Sequence, residues 1–521
     1  MQQPNRFNRR AALKAGLAGG LAAALVRTSI GAAPTWMAGS PHKLLTIFLR
    51  GGYDANSAVI PHGDPTYTLA NRGSTFIPQA NSIAVGGLNP LSMGLNPAMA
   101  PIAPLVNAAM PRMVFLHATG NPARTGSHFD DQRTWETATT QCNIPPLFDI
   151  EEGWITRVVS QIFGVGFHAA SVSESMQQMY RTRLAPNNTF TPARVLPHIR
   201  ALKDYPGDSV NQFTLETIFP TLDSKLVGNA APPSGLRALF SGGAGKDAFA
   251  RAVGSQMVES AESVEQALAT LTPPGVYTPL GGALYPFGKP PGTVNPYPTP
   301  ANAGLLLDID PIRRFFMNLR DAMTLLRHVP DVNVAGIEIG GFDTHSNQGG
   351  WNSTTNMIEG PLAGLLNAVA FGIASVDAEA SAGGFGAGGS ITVLVVSEFG
   401  RTSAANTSQG TDHGGASCVW VGNFGSGLTR VRTSLTSGAV FNTAPAEWPG
   451  LFSANDQTFG CPGNPSSPAP YPFMNIATDF RAVYGRILRT LYGATTPQLD
   501  QVIPGYSSLS GPTAVEPVFI V

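Results

Sequence analysis

The stretch "ITVLVVSEFGRTSAANTSQGTDHGG", residues 391–415, decides the fold. Its first six residues form an apolar run interrupted only by Thr392, as in a strand that is covered on both faces. Glu398 follows this strand at once, and Asp412 and His413 lie on a glycine-flanked loop beyond it. An ionised carboxylate at the end of a buried strand needs a partner or a cation. Glu398 is therefore either a ligand of a divalent metal ion or the ion-pair partner of Arg401.

The same apolar pattern recurs along the chain. It predicts buried strands from about Leu44 to Leu49, from Met113 to His117 and in the region 333–340, and a helix from about Thr355 to Val376. Apolar strands that are separated by helices indicate a parallel sheet covered on both faces. We therefore predict an α/β fold, with a doubly wound, mostly parallel sheet flanked by helices. Such sheets bind their ligands at the carboxyl ends of the strands.

The first 33 residues have the layout of an export signal. Basic residues precede an apolar segment from about Ala15 to Val26, and small residues follow it. The pair Arg9-Arg10 points to the twin-arginine route. The apolar segment is too short for an ordinary membrane span, although an N-terminal membrane anchor is the alternative. We expect a protein exported to the periplasm or the extracellular space, with no membrane association after cleavage of segment 1–33.

The middle of the chain differs in composition from the rest. Residues 146–330 contain long Pro/Gly-rich loops, with helical candidates at Glu151–Phe163 and Lys246–Leu271 and an amphipathic helix at Ile309–His328. We interpret this block as an insertion or cap made largely of helices and loops. The predicted domains are then a signal at 1–33, a discontinuous α/β core at 43–145 and 331–495, the insertion at 146–330, and a C-terminal tail at 496–521.

The composition argues against several classes of function. Charged residues make up 12% of the chain and the formal net charge is -1, so no basic surface is predicted for nucleic acid or an anionic membrane. The three cysteines, Cys142, Cys418 and Cys461, show no paired spacing. This excludes a thiolate zinc cluster and a disulfide framework, while a single disulfide stays possible.

Acidic and imidazole side chains recur at four predicted strand ends. They are Asp54, the pair Asp343 and His345, Glu398, and the pair Asp412 and His413. Carboxylates suit hard or borderline divalent ions, and imidazole shifts the preference toward zinc, manganese or iron. Each cluster alone has a plainer explanation as a turn former, a loop cap or a surface histidine. Their recurrence predicts one or two divalent ions, with zinc first and calcium, magnesium or manganese at a second site.

A nucleophile candidate lies in "TGNPARTGSHFDDQRTWET", where Ser127 can cap a helix that starts near His128. A hydroxyl at a helix N-terminus has backbone donors that favour negative charge, and a bound divalent ion lowers the pKa of a nearby hydroxyl. Thr125 is a substitute nucleophile, Arg124 is a candidate anion clamp, and His128 is a candidate ligand or acid. The plainer alternative for Ser127 is an ordinary N-cap.

Six motifs in one order carry a family resemblance. The twin-arginine leader, "FLRGGYDANSAVIP", "GSHFDDQRTWE", "GGFDTHSNQ", "SEFGRT" and "GTDHGG" resemble the DUF1501 family of exported bacterial proteins, within the alkaline phosphatase superfamily. The resemblance implies an alkaline phosphatase-like sheet that carries a metal-bound nucleophile. It also implies that Asp54 is the first-strand ligand, that Asp343 and His345 bind one metal, and that His413 completes that shell.

Two departures from the phosphatase pattern concern the second metal. The spacing in "DTH", residues 343–345, is shorter than the phosphatase pattern, and Phe399 stands where relatives carry a histidine after the residue that corresponds to Glu398. The function that the resemblance implies is an exported metal-dependent hydrolase of phosphate or sulfate esters, acting on a small-molecule or glycan ester. The alternatives are a non-catalytic binding or structural protein that keeps a structural metal, and a phosphomutase-like or sugar-processing enzyme.

Overall fold

A computed structural model describes most of the chain between residues 41 and 517. The described residues are 41–86, 90–108, 110–139, 152–164, 166–181, 196–199, 260, 263–264, 267–268, 270–271, 277–285, 310–425, 438–453 and 471–517. The predicted signal at 1–33 and most of the predicted helix Lys246–Leu271 lie outside them. They include Cys418, which is a buried thiol, but neither Cys142 nor Cys461.

Nine strands form the central sheet of the described fold. They are β1 (His42–Leu49), β2 (Met113–Gly120), β3 (Ala169–Val172), β4 (His198–Ile199), β5 (Val334–Ile339), β6 (Ser390–Val396), β7 (Ser417–Gly425), β8 (Val440–Phe441) and β9 (Thr478–Asp479). Their order is β8-β2-β7-β6-β1-β5-β3-β4, and β9 also pairs with β2. Short strands outside this sheet are Val59–Ile60, Ile83–Ala84, Gly94–Leu95, Trp351–Asn352 and Met357–Ile358.

The sheet is mostly parallel, as the apolar strands predict. Strand β1 lies parallel to β5 and to β6, and β3 lies parallel to β5 and to β4. Strand β7 is the exception, because it runs antiparallel to both β6 and β2. The segment 397–416 between β6 and β7 contains no helix, and a parallel neighbour would need a longer crossover. The loop that carries Asp412 and His413 therefore turns the chain back along the sheet.

Helices cover both faces of the sheet. The described α-helices are α1 (Ala55–Ala58), α2 (Leu69–Arg72), α3 (Ala103–Val106), α4 (His128–Thr137), α5 (Trp154–Val158), α6 (Asp310–His328), α7 (Pro361–Ser381), α8 (Phe480–Tyr492) and α9 (Thr496–Val502). Alternate residues of β1 enter two cores. Leu45 and Ile47 share one core with α6 and α7, and Leu44 and Phe48 share the other with α5, α8 and α9. The α/β class with a helix-flanked sheet is confirmed.

Helix α7 begins six residues later than the sequence pattern predicts. The segment before it forms a two-stranded hairpin of Trp351–Asn352 with Met357–Ile358, and Pro361 then occupies the first helical turn, where its missing N–H does no harm. Helix α7 is also long and apolar enough to cross a membrane by composition. Most of it is buried against the sheet, which is how the core helix of a folded domain behaves.

The described parts of the middle block continue the sheet. Strand β3 pairs with β5, β4 extends that edge, and α6 packs on β5. The predicted helix Glu151–Phe163 is α5 followed by one π-helical turn, Val159–Phe163. At the other end of the chain, α9 buries Leu499 and Val502 in the core, although the segment after residue 495 is predicted as a tail. The domain boundaries themselves stay a prediction.

The strand directions bring the predicted site residues to one edge. Strands β1, β2, β5 and β6 share one direction, so their carboxyl ends meet, and the amino end of β7 joins them. The loops that leave this edge carry Asp343, Glu398 and the segments 121–127 and 411–416. One face of the molecule therefore collects side chains that are far apart in sequence.

Candidate metal centre

Three imidazole nitrogens and one carboxylate oxygen converge at this edge. Asp343 Oδ1 lies 3.1 Å from His345 Nε2 and 3.4 Å from both His128 Nε2 and His413 Nε2. The Nε2 atoms of His345 and His413 are 3.0 Å apart. Ligands in a tetrahedral shell with bonds of about 2.1 Å lie roughly 3.4 Å from one another. Asp343 Oδ1 therefore lies at the spacing of neighbouring ligands from all three nitrogens, and the donor atoms of His128, Asp343 and His413 all lie within 4.8 Å of one another.

Each imidazole is held by an oxygen that accepts a hydrogen bond from Nδ1. The acceptors are Glu398 Oε1 for His128 at 2.8 Å, Asp412 Oδ1 for His345 at 2.9 Å, and the carbonyl oxygen of Gly126 for His413 at 2.7 Å. A proton on Nδ1 leaves the lone pair on Nε2, which is how histidine ligands are oriented in metal proteins. His128 Nε2 is buried and has no hydrogen-bond partner among the described residues.

The cluster is accessible from solvent although its supports are buried. The side chain of Asp343 is 47% exposed and that of His345 is 43% exposed, whereas the side chain of Glu398 is fully buried. An ion or a small molecule can therefore reach the convergence point. Among the described residues, His128, Asp343 and His413 form the group of donors that could hold a metal ion, and His345 Nε2 adjoins this group at Asp343 and His413.

Glu398 supports the cluster from below. Its Oε1 accepts hydrogen bonds from His128 Nδ1, from Gln132 Nε2 at 2.9 Å and from the Gly51 backbone N–H at 2.8 Å. Burial raises the pKa of Glu398, but these bonds outweigh it and the net pKa is lowered, so the group is an anion. The bond to Glu398 is also the main reason that the pKa of His128 is raised. Glu398 thus orients a ligand candidate instead of pointing at the convergence point.

Gly51 must be glycine for this contact to form. Its φ angle is +119°, and a Cβ atom there would lie 2.4 Å from the backbone nitrogen of Asp343. The close approach joins the loop after β1 to the loop after β5, and it lets the Gly51 N–H reach Glu398. The glycine pair that the sequence places after the first strand therefore brings three strand ends together.

Arg401 pairs with Asp343 and not with Glu398. Its Nη2 donates to Asp343 Oδ1, so the ion pair with Glu398 that the sequence leaves open is not formed. Burial raises the pKa of Asp343, but the Arg401 guanidinium outweighs it and the net pKa is lowered. Arg401 leaves the backbone in an isolated β-bridge with His413, which aims its side chain across the strand ends instead of at Glu398.

Asp54 lies in a separate buried network. Its Oδ2 accepts hydrogen bonds from Arg72, from Gln348 Nε2 at 2.7 Å and from Ser57 Oγ at 2.8 Å, and its Oδ1 caps helix α1. Burial raises the pKa of Asp54, but Arg72 outweighs it and the net pKa is lowered. The structure does not bring Asp54 into the imidazole cluster, because a fully buried guanidinium already serves as its counter-ion.

Ser127 occupies the N-cap position of α4, as the sequence predicts, and Asp130 and Asp131 lie in the first turn. Its hydroxyl makes no hydrogen bond within the described part of the chain. The residue before it, Gly126, accepts the bond from His413, and the residue after it is His128. Ser127 therefore lies between two residues of the chain that belong to, or support, the cluster.

The other two candidates from this loop have structural contacts. Thr125 Oγ1 donates to Asp131 Oδ2 at 3.3 Å and accepts from the Ser127 N–H at 2.9 Å. Arg124 donates to the Gly414 carbonyl and lies 4.8 Å from the centre of the Phe473 ring. Arg124 thus joins the loop before α4 to the loop before β7. Its predicted role as an anion clamp stays a prediction.

Sequence reasoning missed two supporting side chains and one aromatic contact. Gln132 follows His128 by one helical turn, so the i, i+4 spacing is a signal that could have identified it. Asp131 accepts the N–H groups of Thr125 and Gly126, and burial raises its pKa to about 6. Phe399 packs against the rings of His128 and His413, with centroids 4.9 and 4.6 Å apart. It occupies the position where the resemblance implies a histidine, and it packs against two imidazoles.

The comparisons with known proteins agree with one part of the sequence interpretation. No curated protein and no solved structure gives a significant match. The family model described as "Protein of unknown function (DUF1501)" matches residues 320–433, a segment that contains Asp343, His345, Arg401 and His413. This match supports the placement of the chain in the DUF1501 family.

Proposed function

We propose that the protein is an exported, metal-dependent hydrolase of phosphate or sulfate esters. The observation that carries the proposal is the convergence of three Nε2 atoms on one carboxylate oxygen, with each Nδ1 already bound to an oxygen acceptor. Lone pairs that face one another at 3.0 Å repel unless a proton or a cation lies between them. A divalent cation satisfies all four atoms at once.

The donor set indicates which ions the centre prefers. Three imidazole nitrogens and one carboxylate oxygen suit zinc best, and manganese or iron next, whereas calcium and magnesium favour shells made of oxygen. The residues proposed to hold the ion are His128, His345, His413 and Asp343. Glu398 and Asp412 then orient two of the imidazoles and add negative charge nearby.

Ester hydrolysis follows from what surrounds the ion. A divalent ion bound there polarises a phosphoryl or sulfuryl oxygen and lowers the pKa of a nearby hydroxyl. Ser127 has a hydroxyl without a hydrogen-bond partner in the described residues, at the N-terminus of the ten-residue helix α4, where backbone N–H groups stabilise negative charge. We assign the attack to its Oγ, which bonds to phosphorus or sulfur while the bond to the departing alcohol breaks. Water then releases phosphate or sulfate and restores the serine.

The substrate class is a small-molecule or glycan ester that diffuses to an open site. The cluster is partly exposed, and the formal charge of the chain is close to zero, so nothing favours a polyanionic substrate. Export by the twin-arginine route is part of the proposal and is supported by Arg9-Arg10 and the apolar segment after them. That route fits a protein that folds around its metal before it leaves the cytoplasm.

The test is an assay of the purified protein with aryl phosphate and aryl sulfate esters, in separate reactions with zinc, manganese, magnesium and calcium. We expect turnover that falls by on the order of a hundredfold or more in Asp343→Ala and in Ser127→Ala. Asp310→Ala is the matched control, because Asp310 is an exposed aspartate on α6 that pairs with Arg313. Its turnover should equal that of the wild type.

Two results would contradict the hydrolase. Retained metal without turnover on any ester favours the alternative, an exported binding or structural protein with a structural metal. Transfer of the phosphoryl group to a second alcohol without net hydrolysis favours a phosphomutase-like enzyme.

A further inference from the structure

We propose that the guanidinium of Arg401 is the second cation of this site, so that the centre binds one divalent ion and not two. The inference rests on the proposed metal function, and it concerns the number of ions and the residue that replaces one of them. Arg401 is a positioning residue in this proposal, because it acts through the side chains that would hold the ion.

The guanidinium is built into the fold by backbone carbonyls. Arg401 Nε donates to Gly52 O at 2.5 Å, Nη1 donates to Thr411 O at 3.0 Å, and Nη2 donates to Gly51 O at 2.5 Å and to Phe342 O at 3.2 Å. These carbonyls belong to three separate loops, and the Arg401 side chain is fully buried. A side chain with this many fixed acceptors is held in one place, as a bound cation would be.

The same guanidinium contacts two of the proposed ligands. Nη2 donates to Asp343 Oδ1, and Nη1 lies 3.3 Å from His345 Nε2. Its positive charge therefore lies within hydrogen-bond distance of the convergence point. A second metal ion on this side of Asp343 would meet a fixed positive charge at close range, which is strongly unfavourable at low effective dielectric.

The acidic residues that a second ion would need already have other partners. Asp54 uses one oxygen for Arg72, Gln348 and Ser57, and the other for the N–H groups that begin α1. These bonds leave no oxygen of Asp54 for a metal.

Both carboxylate oxygens of Glu398 also accept hydrogen bonds. Its Oε1 accepts from Gly51, His128 and Gln132, and its Oε2 accepts from Ser397 Oγ at 3.1 Å. Phe399, at the position of the expected partner histidine, has no ligand atom and packs on His128 and His413. The ligands of a second metal ion, which the resemblance implies, are therefore replaced by hydrogen bonds and an aromatic contact.

The local charge balance agrees with one ion. Three carboxylates surround the imidazoles, namely Asp343, Glu398 and Asp412, and the Arg401 guanidinium is in direct contact with Asp343. One divalent ion together with Arg401 neutralises these three negative charges when the imidazoles are uncharged. A second divalent ion would leave two positive charges without a counter-ion at the site.

The experiment is a titration of the metal-free full chain with Co²⁺, followed by visible absorption, together with elemental analysis of the protein after dialysis. We expect a single break at one equivalent and one cobalt per chain. Two tightly bound equivalents would overturn this inference and leave the hydrolase proposal intact. No bound cobalt and no bound zinc would overturn both, so the two failures are distinguishable.

Two variants test the role of the charge. Arg401→Gln removes one positive charge next to the ion, so we expect Co²⁺ to bind at least about tenfold more tightly. Arg401→Lys keeps the charge, so its affinity should stay close to that of the wild type. Equal affinity in Arg401→Gln and in the wild type would refute the charge role. If Arg401→Gln does not fold, the stoichiometry of the wild type still decides. Arg313→Gln, on an exposed part of α6, is the control.

Discussion

At the scale of single residues, the described histidines differ in which ring nitrogen is left with a lone pair. His117 is fully buried and uses both nitrogens, because Nε2 donates to the Val59 carbonyl at 3.0 Å and Nδ1 accepts from the Ala118 N–H at 3.1 Å. His128 Nε2 has no hydrogen-bond partner among the described residues, and His413 Nε2 faces His345 Nε2 at 3.0 Å, so both rings present Nε2 to the cluster. His117 is therefore a structural histidine that must stay neutral, and the other two are available for binding.

His117 predicts a pH dependence of stability. Burial lowers the pKa of His117 to about 4, below its ordinary value near 6.5 in the unfolded chain. The unfolded state therefore binds this proton first, and stability is lost as the pH falls from about 6.5 toward about 4, by roughly 3 kcal/mol in total. In His117→Gln this part of the loss should disappear. The measurement is denaturant-induced unfolding at pH 7, 6, 5 and 4 in the presence of a chelator.

The comparison between variants isolates this group. Burial also lowers the pKa of His62 to about 4, so His117→Gln should keep part of the pH dependence of the free energy of unfolding. His168→Gln, at a half-buried position outside the cluster, is the matched control and should follow the wild type. An unchanged slope in His117→Gln would show that His117 already carries a proton in the folded state.

At the scale of elements, helix α4 determines the position of two sides of the cluster. Its first residue is His128, and Asp131, in the same turn, accepts the N–H groups of Thr125 and Gly126. Gly126 then accepts the Nδ1 proton of His413 through its carbonyl. One helical turn thus orients an imidazole on its own element and a second one on the loop before β7.

We expect Asp131→Ala to weaken binding of Co²⁺ or Zn²⁺ by about tenfold or more, as the loss of supporting contacts around metal ligands usually does. The physical reason is that the Gly126 peptide loses its anchor and no longer fixes His413. Asp130→Ala is the matched control in the same turn, and its affinity should change by less than about threefold. Competition with a chromophoric chelator measures both. Equal metal affinities for the two variants would show that Asp131 of α4 does not help to position His413.

The elements could be predicted where burial is uniform. The apolar runs predicted β1, β2, β5 and β6, because a strand covered on both faces consists mainly of apolar residues. Ser127 followed by two aspartates predicted the start of α4. The predicted start of α7 was wrong because the hairpin of Trp351–Asn352 with Met357–Ile358 leaves only a weak pattern in the sequence.

At the candidate site, the sequence predicted the convergence of Asp343, His345 and His413, but not that Asp54 lies apart or that Glu398 and Asp412 hold imidazoles. Histidine and aspartate at strand ends are visible in the sequence, and the strand directions bring them together. The partner of Asp54 is Arg72, on another short helix, and the acceptors of Arg401 are backbone carbonyls. Backbone carbonyls have no sequence signal, and the choice of Arg401 between Glu398 and Asp343 depends on tertiary packing.

At the scale of the whole molecule, the site exists only when the sheet is complete. His128 comes from the helix after β2, Asp343 and His345 follow β5, and His413 precedes β7, so 285 residues separate the first ligand from the last. The unfolded chain cannot hold these groups within a few ångströms of one another without a large loss of conformational entropy. Binding of a metal ion by these residues, as proposed above, would therefore be thermodynamically coupled to folding.

This coupling makes a prediction for the intact protein. Saturating Zn²⁺ should raise the free energy of unfolding, by about 2.7 kcal/mol when the free ion is at a hundred times its dissociation constant, and each further tenfold should add about 1.4 kcal/mol. Thermal unfolding at several buffered Zn²⁺ concentrations measures the effect.

The His345→Ala, His413→Ala double variant should show little of this stabilisation by zinc, because it lacks two of the four proposed ligand atoms. The double variant His62→Ala, His168→Ala removes two histidines outside the cluster and should keep the full response. If the wild type unfolds at the same temperature with zinc and with chelator, the four atoms do not form a metal shell in solution, and the positive charge of Arg401 alone balances Asp343.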